Sequence, residues 1–454
     1  MTTDETMPSY PFTRDDACPF APPTAYQRLR DSRPITRVRL YDGREAWMFT
    51  RHEDIRAVLA HPAASAETLA EDFPFLNPAD RVSKRAQSFQ RWDDPRHAER
   101  RRKLMPYFTI KRIEEMRPRV RGMIDHYYRQ MIDAGPPADL VGQLALAVPS
   151  TVACDLLGVD YADHGFFETR FAVRLNRTST AEQARAANAE LVEYVDRVVR
   201  SKYGKRNSDL LGRFVNDHVE TGEVSHEDAV IDANLLLLAG HETTANMIAL
   251  GTLALLEHPD QLARIQQDKS LVPQAVEELL RYLTISQSMG VRLAKDDFEV
   301  SGCPIRAGDG LIVPVAAANY DDEVFPSPHT LDLSRPEARR HLTFGFGPHG
   351  CLGQPLARME LAEVFSTIFD RLPGLRADIP LDRVDFKREA VFYGLRSLPV
   401  SWDDEAARRL AEKDQENPSA ERSRLTRPTP ASPGQPGRPV SPADQQGKGS
   451  GERT

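Results

Sequence analysis

The chain has 454 residues, of which 28% are charged, 40% hydrophobic and 7% aromatic, a composition that is ordinary for a globular protein. Its formal charge of −8 argues against a general nucleic-acid-binding surface. The four cysteines, at positions 18, 154, 303 and 351, lie far apart without a C-x-x-C pair, which excludes a disulfide scaffold, a zinc ribbon and covalent c-type haem.

No stretch of the sequence has the pattern of a targeting or membrane-spanning segment. The longest strongly apolar stretch, around 235–240, is far shorter than the roughly 20 residues that a spanning helix needs. The N-terminal segment carries acidic residues and lacks an apolar core, so it does not resemble a signal peptide. We therefore expect a cytoplasmic protein with reduced thiols that binds neither membranes nor nucleic acids.

Helical patterns dominate residues 10–402, where no internal repeat or linker interrupts the chain. The short strands predicted between the helices are 37–40, 47–50, 298–300, 310–314 and 392–400. From residue 403 the chain has no aromatic residue and is rich in Pro, Gly, Ser, Arg and Glu, a composition that buries too little apolar surface to fold. We predict a folded domain over 1–402 and a disordered tail over 403–454 that begins with a short helix at 406–412.

A long helix is predicted after Ser225, whose side chain can cap it and whose third following residue is acidic. The segment runs without proline as far as Pro259 and is apolar on almost every face, so we expect it to cross the core. Gly240, Glu242 and Thr243 break this pattern, because glycine costs a helix about 1 kcal/mol and a buried carboxylate needs a partner. The small residue would let a ligand approach the backbone, and the carboxylate and hydroxyl could deliver protons to it.

The segment 341–353 is rich in glycine and leads into a second helix, predicted from Leu352 to Leu372. Cys351 therefore lies at a helix N-terminus, where backbone N–H groups and the helix dipole are expected to lower its pKa and favour the thiolate. A lone cysteine is more often a small buried hydrophobe. Here the surrounding glycines favour the close approach of a large, flat ligand to the backbone.

The motif F-G-x-G-x-H-x-C-x-G is complete in this segment, and it resembles the signature of the cytochrome P-450 family of haem-thiolate proteins. The matching residues are Phe344, Gly345, Gly347, His349, Cys351 and Gly353. The resemblance implies that Cys351 is the metal ligand of the haem iron, that Phe344 packs beside the thiolate and that His349 binds a haem propionate. A thiolate ligand donates electron density to the iron and favours cleavage of the O–O bond.

Other motifs of the family follow in the same order along the chain. The A-G-x-E-T-T of the central helix resembles the oxygen-activation motif, which implies that Glu242 and Thr243 are catalytic. An earlier D-P-x-H-x-x-x-R segment implies that His97 and Arg101 bind one haem propionate, and Arg292 matches the arginine that binds the other. Two propionates buried side by side need such cations.

A third match, the E-x-x-R of Glu278 and Arg281, places two opposite charges on one helix face. The resemblance assigns this pair, together with Arg335, a structural role rather than a catalytic one. The loss of one partner would leave a buried charge without its counter-ion, at a cost of roughly 3–5 kcal/mol.

The resemblance covers about 10–402 and implies a mainly α fold with minor β-sheet, in which the haem lies between the long central helix and the helix that follows the cysteine loop. It implies a monooxygenase that inserts one atom of O2 into a medium-sized, mainly hydrophobic organic substrate, in secondary metabolism or xenobiotic oxidation. The cofactor is then haem b, with electrons from NAD(P)H through ferredoxin reductase and ferredoxin. We expect a monomer.

The run R-R-R-K at 100–103 stands out in an acidic chain. A helix cannot direct four consecutive side chains to one side, so Arg101 is expected to turn inward while the others face solvent. By resemblance this helix borders the cysteine side of the haem, where an acidic ferredoxin can dock by electrostatic steering. Arg339 and Arg340 would extend the same surface.

Two other functions stay open. One is NADH-dependent nitric oxide reduction, because parts of the chain resemble the fungal haem-thiolate nitric oxide reductases; that group lacks the acid–alcohol pair that Glu242 and Thr243 form here. The other is a haem-binding protein without enzymatic activity, against which the intact Cys351 and the same acid–alcohol pair argue.

Overall fold

The computed structural model describes residues 7–15, 18–77, 88–287 and 290–416, and the predicted tail beyond 416 lies outside these residues. The described chain is mainly helical, as predicted, and none of its helices has both the length and the apolarity needed to cross a membrane. The α-helices are α1 (Ala25–Ser32), α2 (His52–Ala60), α3 (Arg96–Leu104), α4 (Ile110–Ala134), α5 (Ala147–Leu157), α6 (His164–Leu175), α7 (Ala181–Lys202), α8 (Leu210–Phe214), α9 (His226–Glu257), α10 (Pro259–Gln267), α11 (Val272–Leu283), α12 (Val315–Ala318), α13 (Gln354–Arg371) and α14 (Asp404–Glu416).

Three small sheets hold the β-strands of the described residues. The strands are β1 (Ile35–Arg39), β2 (Glu45–Phe49), β3 (Ala64–Ser65), β4 (Ala138–Asp139), β5 (Val291–Ala294), β6 (Phe298–Val300), β7 (Cys303–Ile305), β8 (Gly310–Ile312), β9 (Arg376–Ala377) and β10 (Pro399–Ser401). The main sheet has the order β1-β2-β8-β5-β3, in which β2 and β8 pair in parallel and the other neighbours are antiparallel. Strand β10 joins β4 and β9, and β6 pairs with β7 as a hairpin.

One of the strand predictions fails. The predicted strands that are confirmed to within two residues at each end are 37–40, 47–50, 298–300 and 310–314. The prediction of a strand over 392–400 is wrong for most of its length, because Phe392 and Leu395 form only isolated bridges and only the last two residues enter β10. The Lys387 N–H donates to the Gly394 carbonyl at 2.8 Å, and a Cβ on Gly394 would come within 2.0 Å of Asn246 Oδ1.

The central helix α9 has the predicted bounds and cap. Ser225 Oγ accepts a hydrogen bond from the Asp228 N–H at 3.1 Å, and apolar side chains from most of the helix surface are buried in the core. The helix approaches α13 closely at Gly251, where a Cβ would come within 2.4 Å of the Phe365 ring. Helix α13 itself lies within two residues of its predicted ends. These two helices therefore fix the spacing around which the site is built.

The predicted ion-pair cluster around Glu278 is confirmed as structural. Arg281 Nε donates to Glu278 Oε2 at 2.7 Å, and Arg335 Nε donates to Glu278 Oε1 at 3.1 Å. Arg281 Nη1 also donates to the carbonyl groups of Asn319 and Pro328. All three charged residues are buried, and the cluster ties α11 to the loops that lead toward the cysteine.

Helix α14 follows the domain boundary predicted at 402, and the division into a folded domain and a disordered tail stays a prediction. The first compact unit of the chain runs from Met1 to Ala411. Its end contains the start of α14, which begins two residues after Trp402 and buries Ala407 in the core. The helix predicted at 406–412 lies within α14.

Candidate active site

A cavity lies between the middle of α9 and the loop that precedes α13. Ala239, Gly240 and Thr243 of α9 contribute to its wall, and so does Cys351. Its other walls are largely apolar and include Phe89, Phe108, Leu156, Leu235, Leu236, Met247, Leu280, Ile285, Val315, Leu356 and Phe392. The fold therefore brings together the two segments whose sequence departs most from an ordinary helical pattern.

Glycines shape the loop that carries the cysteine. Gly345 has a φ of 72° and Gly347 a φ of 71°, in the left-handed region that favours glycine. A Cβ on Gly347 would come within 2.8 Å of the Leu59 carbonyl oxygen, so glycine lets the loop pack against the end of α2. The Cys351 N–H donates to the Phe344 carbonyl at 2.8 Å and closes the loop. These contacts fix the position of Cys351 in the cavity wall.

The prediction that the helix N-terminus lowers the pKa of Cys351 is wrong for the protein chain by itself. Burial raises the pKa of the thiol, and the amide groups of Gly353 and Gln354, together with the Arg101 guanidinium, oppose this effect without overcoming it. The desolvation of a thiolate in an apolar cavity costs more free energy than the N–H groups in the first turn of α13 recover. A coordinated metal cation deprotonates such a thiol outright.

Two histidines predicted to bind propionate lie beside each other. The rings of His97 and His349 stack with their centroids 4.1 Å apart. His97 is buried, and its Nδ1 lies 3.2 Å from Asp94 Oδ1, which orients the ring. Helix α3 and the cysteine loop thus contribute one imidazole each to the same side of the cavity.

The two arginines predicted to bind propionate also line the cavity. Arg101 Nη2 donates to the Gly350 carbonyl at 2.6 Å, next to the cysteine. Arg292, on β5, is buried and donates from Nη1 to the Val291 carbonyl at 2.8 Å. Burial lowers the pKa of Arg292 to about 10, so the guanidinium is still charged at neutral pH.

Unpartnered polar atoms indicate which kind of ligand this cavity can hold. Within the described chain, His97 Nε2 and His349 Nδ1 are buried without a hydrogen-bond partner. Burial, reinforced by the positive charges of Arg292 and His97, lowers the pKa of His349 to about 3. A ligand with two carboxylates would satisfy these nitrogens and compensate the clustered cations. With Cys351 available for iron and the glycine loop open to a flat ring, the residues fit haem.

The predicted catalytic residues take different positions. Thr243 lies in the cavity wall, and its Oγ1 donates to the Ala239 carbonyl at 2.8 Å. Glu242 is buried, does not line the cavity, and accepts hydrogen bonds from Lys387 Nζ at 2.6 Å and Asn246 Nδ2 at 3.3 Å. Burial raises the pKa of Glu242, but the charges of Lys387 and His241 and the hydrogen bonds from Lys387 and Asn246 together outweigh it and hold the pKa below its usual value.

Sequence analysis missed three polar residues of the site. Lys387 is 145 positions from Glu242 and carries no local signal that it would pair there. Asn246 follows Glu242 by four residues, a spacing that places both on one helix face. Glu360 lines the cavity, and burial raises its pKa to about 8. The sequence feature that could have revealed Glu360 is its position directly before Leu361, which belongs to the row of buried apolar residues on α13.

The basic run of α3 exposes fewer charges than predicted. Arg101 turns inward, as expected, and Arg102 is exposed. The expectation that Arg100 faces solvent is wrong: its guanidinium is buried, donates to Asp228 Oδ2 at 2.8 Å and pairs with Asp232. These two carboxylates lie one turn apart on α9 and form a site for the guanidinium that the sequence of α3 does not reveal.

Comparisons with known proteins cover nearly all of this architecture. The family model for cytochrome P-450 matches residues 159–373, which include α9 and the cysteine loop. The chain is 43% identical over 403 residues to the vitamin D3 dihydroxylase of Streptomyces griseolus, covering 88% of this chain and 99% of that protein. It is 43% identical over 405 residues to the pentalenic acid synthase of Streptomyces avermitilis, covering 88% and 100%.

A solved structure extends the similarity to the fold. The mycinamicin VIII methyl hydroxylase of Micromonospora griseorubida, bound to mycinamicin VIII, superposes with a TM-score of 0.83 at 36% identity. The match covers 87% of this chain and 100% of that one.

Proposed function

The chain belongs to the cytochrome P-450 family of haem-thiolate monooxygenases, and we propose that it inserts one oxygen atom of O2 into a medium-sized, mainly hydrophobic organic substrate, by hydroxylation or epoxidation. One observation carries this proposal. A single cavity with mainly apolar walls contains Cys351, the propionate-binding cations and Thr243. That combination offers a metal ligand, a hydroxyl able to relay protons and a place for a hydrophobic molecule.

The resident cofactor is haem held by a cysteine thiolate, which supplies the electron-rich iron that activates O2. We assign the iron ligand to Cys351 Sγ. We assign the propionates to His97, Arg101, Arg292 and His349, because their polar atoms converge on one side of the cavity and two of them lack partners. Phe344 precedes the cysteine in the loop, and the Arg358 guanidinium lies 4.5 Å from the centre of its ring, which holds it in place.

Thr243 and Glu242 are proposed to move protons into the cavity. The Thr243 hydroxyl lies in the wall, where its oxygen can accept a proton on one side while it donates on the other. Glu242, the next residue toward the N-terminus, is charged and can take up a proton each time its pair with Lys387 loosens. The apolar side chains around them keep bulk water from supplying protons at random.

The substrate class follows from the cavity and from the named relatives. The cavity walls are mainly apolar, with Ser286 as one of their few uncharged polar side chains. The relatives with about 43% identity are named for vitamin D3 and pentalenic acid, and a structural neighbour for mycinamicin. A medium-sized hydrophobic molecule of secondary metabolism, or a xenobiotic, suits these features.

We propose ferredoxin, reduced by NAD(P)H through ferredoxin reductase, as the electron donor. Three arginines are exposed: Arg102 on helix α3, and Arg339 and Arg340. On the same helix as Arg102, Arg101 donates a hydrogen bond to the loop beside the cysteine. An acidic ferredoxin that docks on this surface would bring its electron close to the cysteine side of the cofactor.

A cytoplasmic location and a monomeric state are also part of the proposal. The support for the location is chemical: Cys18, Cys154, Cys303 and Cys351 are all free thiols, as expected in a reducing compartment. The monomer stays a prediction from the sequence.

The decisive experiment incubates the haem-loaded protein with NADPH, ferredoxin reductase, ferredoxin and oxygen-18. Macrolides, terpenoids and secosteroids are first screened for a low-spin to high-spin shift of the Soret band. We expect one oxygen-18 atom in the product. We also expect Thr243→Ala to consume NADPH while it forms severalfold less product, because a proton relay is lost.

The matched control is Thr252→Ala. Thr252 lies on the same helix, donates to the Ile248 carbonyl at 2.8 Å and does not line the cavity, so its loss should leave coupling unchanged. Steady nitric oxide consumption with NADH alone, without oxygen-18 in any product, would favour the nitric oxide reductase. A protein that shows a haem spectrum but is not reduced by ferredoxin would favour the non-enzymatic haem-binding protein.

A further inference from the structure

A half-buried arginine at the end of α6 has a guanidinium nitrogen without a partner in the described part of the chain. Arg174 is in the last turn of α6, and its Nη1 is buried without a hydrogen-bond partner within the described chain. Burial lowers the pKa of Arg174 to about 10, and no acidic neighbour opposes this effect, so the side chain is a charged cation at neutral pH. A buried charge without a counter-ion is costly, and proteins keep one where it binds a ligand.

The position of Arg174 in α6 directs it toward the site. Phe167 and Phe171 pack their rings 6.2 Å from the ring of His241 on α9. Arg174 follows Phe171 by three residues and Phe167 by seven, so it lies on the same face of α6. This face looks onto the part of α9 whose neighbouring residues line the cavity.

The end of α6 is attached to a second wall of the cavity. The Leu175 carbonyl accepts a hydrogen bond from the Val391 N–H at 2.8 Å, and Asn176 pairs with Ala390 in an isolated bridge. The next residue, Phe392, lines the cavity. Arg174 therefore lies in the turn of α6 that joins this C-terminal segment, one residue before the Leu175 carbonyl that accepts from Val391.

The other interior arginines show what is unusual about Arg174. Arg281 is paired with Glu278, and Arg100 with two carboxylates of α9. Arg14 has no carboxylate but donates to four backbone carbonyl groups. Each of these guanidinium groups has carboxylates or several backbone carbonyl groups as acceptors, although Arg14 Nε has no partner within the described chain.

The charge of the cavity wall also favours an anionic ligand. Among the described residues that line it, Arg91, Arg101 and Arg292 are permanent cations, and Glu360 is the one carboxyl residue. Because burial raises the pKa of Glu360 to about 8, this group is mostly uncharged at neutral pH. The proposed propionate sites take Arg101 and Arg292, and Arg91 is a further arginine in the same wall.

We propose that the substrate carries one anionic group, a carboxylate or a similar oxyanion, and that Arg174 binds it at the α6 side of the cavity. This inference rests on the proposed monooxygenase function and narrows its substrate class from hydrophobic to amphipathic. Arg174 holds the anionic end, and the hydrocarbon part extends along the apolar walls toward Thr243 and Cys351. A charge-assisted bond to guanidinium at one end fixes which carbon lies near the iron.

The test compares carboxylic acids with primary alcohols of the same carbon skeleton. Three such pairs, straight-chain, terpenoid and aromatic, are titrated into the haem-loaded protein, and dissociation constants are read from the spin-state shift of the Soret band. We expect at least one acid to bind ten times or more tightly than its alcohol. In Arg174→Gln this ratio should fall to about one, and Arg174→Lys should keep part of it.

Arg170→Gln is the matched control, because Arg170 lies one turn earlier on α6 and is already paired with Glu190. It should keep the ratio of the unmodified protein. An alcohol that binds as tightly as its acid in every pair, or a preference for the acid that survives Arg174→Gln, would overturn the inference.

A stability measurement decides the case in which no compound shifts the band. If Arg174 has no partner in the folded protein, Arg174→Met should leave the thermal unfolding midpoint unchanged or raise it. A lower midpoint would mean that the guanidinium has a structural partner, and it would overturn the inference. If the protein shows no thiolate-type Soret band, or inserts no oxygen into any substrate, the result contradicts the proposed function and not the role of Arg174.

Discussion

At the scale of single residues, the charge of Glu242 depends on Lys387. The carboxylate is buried, and Lys387, with smaller contributions from His241 and Asn246, holds its pKa below the usual value. We predict that Lys387→Met lowers the free energy of unfolding by roughly 3–5 kcal/mol at neutral pH, because it leaves a buried charge without its counter-ion. Most of this loss should return in the double variant with Glu242→Gln, as measured by urea unfolding.

The pair of Glu242 and Lys387 also makes the stability of the protein depend on pH. A carboxyl group whose pKa is lowered by folding stabilises the protein above its unfolded pKa, and this contribution is lost as the pH falls through the folded pKa. In Lys387→Met, desolvation acts on Glu242 without that opposing charge, so the pKa moves above the usual value and the sign reverses. Acidification from pH 7 to 5 should then recover stability in the variant. A variant that loses stability in parallel with the unmodified protein would contradict the pairing.

Glu360 gives the opposite case. Burial raises its pKa to about 8, so the unfolded chain releases this proton at lower pH than the folded chain does. The group therefore destabilises the fold progressively between its unfolded pKa and about pH 8, by about 1 kcal/mol per pH unit. We predict that Glu360→Gln removes this slope, measured as the difference between the two proteins in urea unfolding from pH 5.5 to 7.5. Equal slopes would mean that Glu360 has a cationic partner.

At the scale of elements, Arg100 joins α3 to α9. Its guanidinium pairs with Asp228 and Asp232, and burial raises the pKa of Asp232 to about 6 in spite of that pairing. We predict that Arg100→Gln destabilises the protein by roughly 3 kcal/mol, at the low end of the cost of an unpaired buried charge, since Asp232 can take up a proton instead. Haem release should also accelerate, because α3 carries His97.

Arg102→Gln is the control for this prediction, since the same substitution two residues later removes an exposed charge. It should change stability by less than about 0.5 kcal/mol. Equal effects of the two substitutions would show that the link between α3 and α9 does not depend on Arg100.

Elements with strong local signals could be predicted from the sequence. Helix α9 has a capping serine and an apolar surface, and α13 begins after a glycine loop, so both were placed within two residues. The segment 392–400 has the composition of a strand, yet only its last two residues enter β10, and at Gly394 the chain packs closely against Asn246 of α9. A contact with a helix that lies far away in the sequence decides this structure, and β propensity does not register it.

At the scale of the whole molecule, motifs predicted which residues share the site, and packing decided how they are arranged. Cys351, His97, Arg101, Arg292 and Thr243 all line one cavity, as their motifs implied. The burial of Glu242 behind the cavity wall required Lys387, which comes from a different part of the chain. Pairings of this kind depend on distances between elements, and a single sequence gives no measure of them.

The net charge of the molecule and the charge of the proposed docking surface around Arg102 have opposite signs. The chain carries −8 overall, so an acidic ferredoxin is repelled by most of its surface, whereas an exposed arginine such as Arg102 attracts it locally. We predict that Arg102→Glu lowers the bimolecular rate of reduction by ferredoxin about fivefold at low ionic strength, and that the difference largely disappears near 1 M salt. Stopped-flow absorbance of the haem measures this rate directly.

Arg185→Glu is the comparison for this charge reversal, because Arg185 is also exposed but lies on α7. Both variants change the net charge by the same amount, so a purely global repulsion would slow them equally. A local docking surface slows the Arg102 variant alone. Unequal rates at low salt that converge at high salt therefore locate the electron donor on α3, and equal rates would move it elsewhere on the molecule.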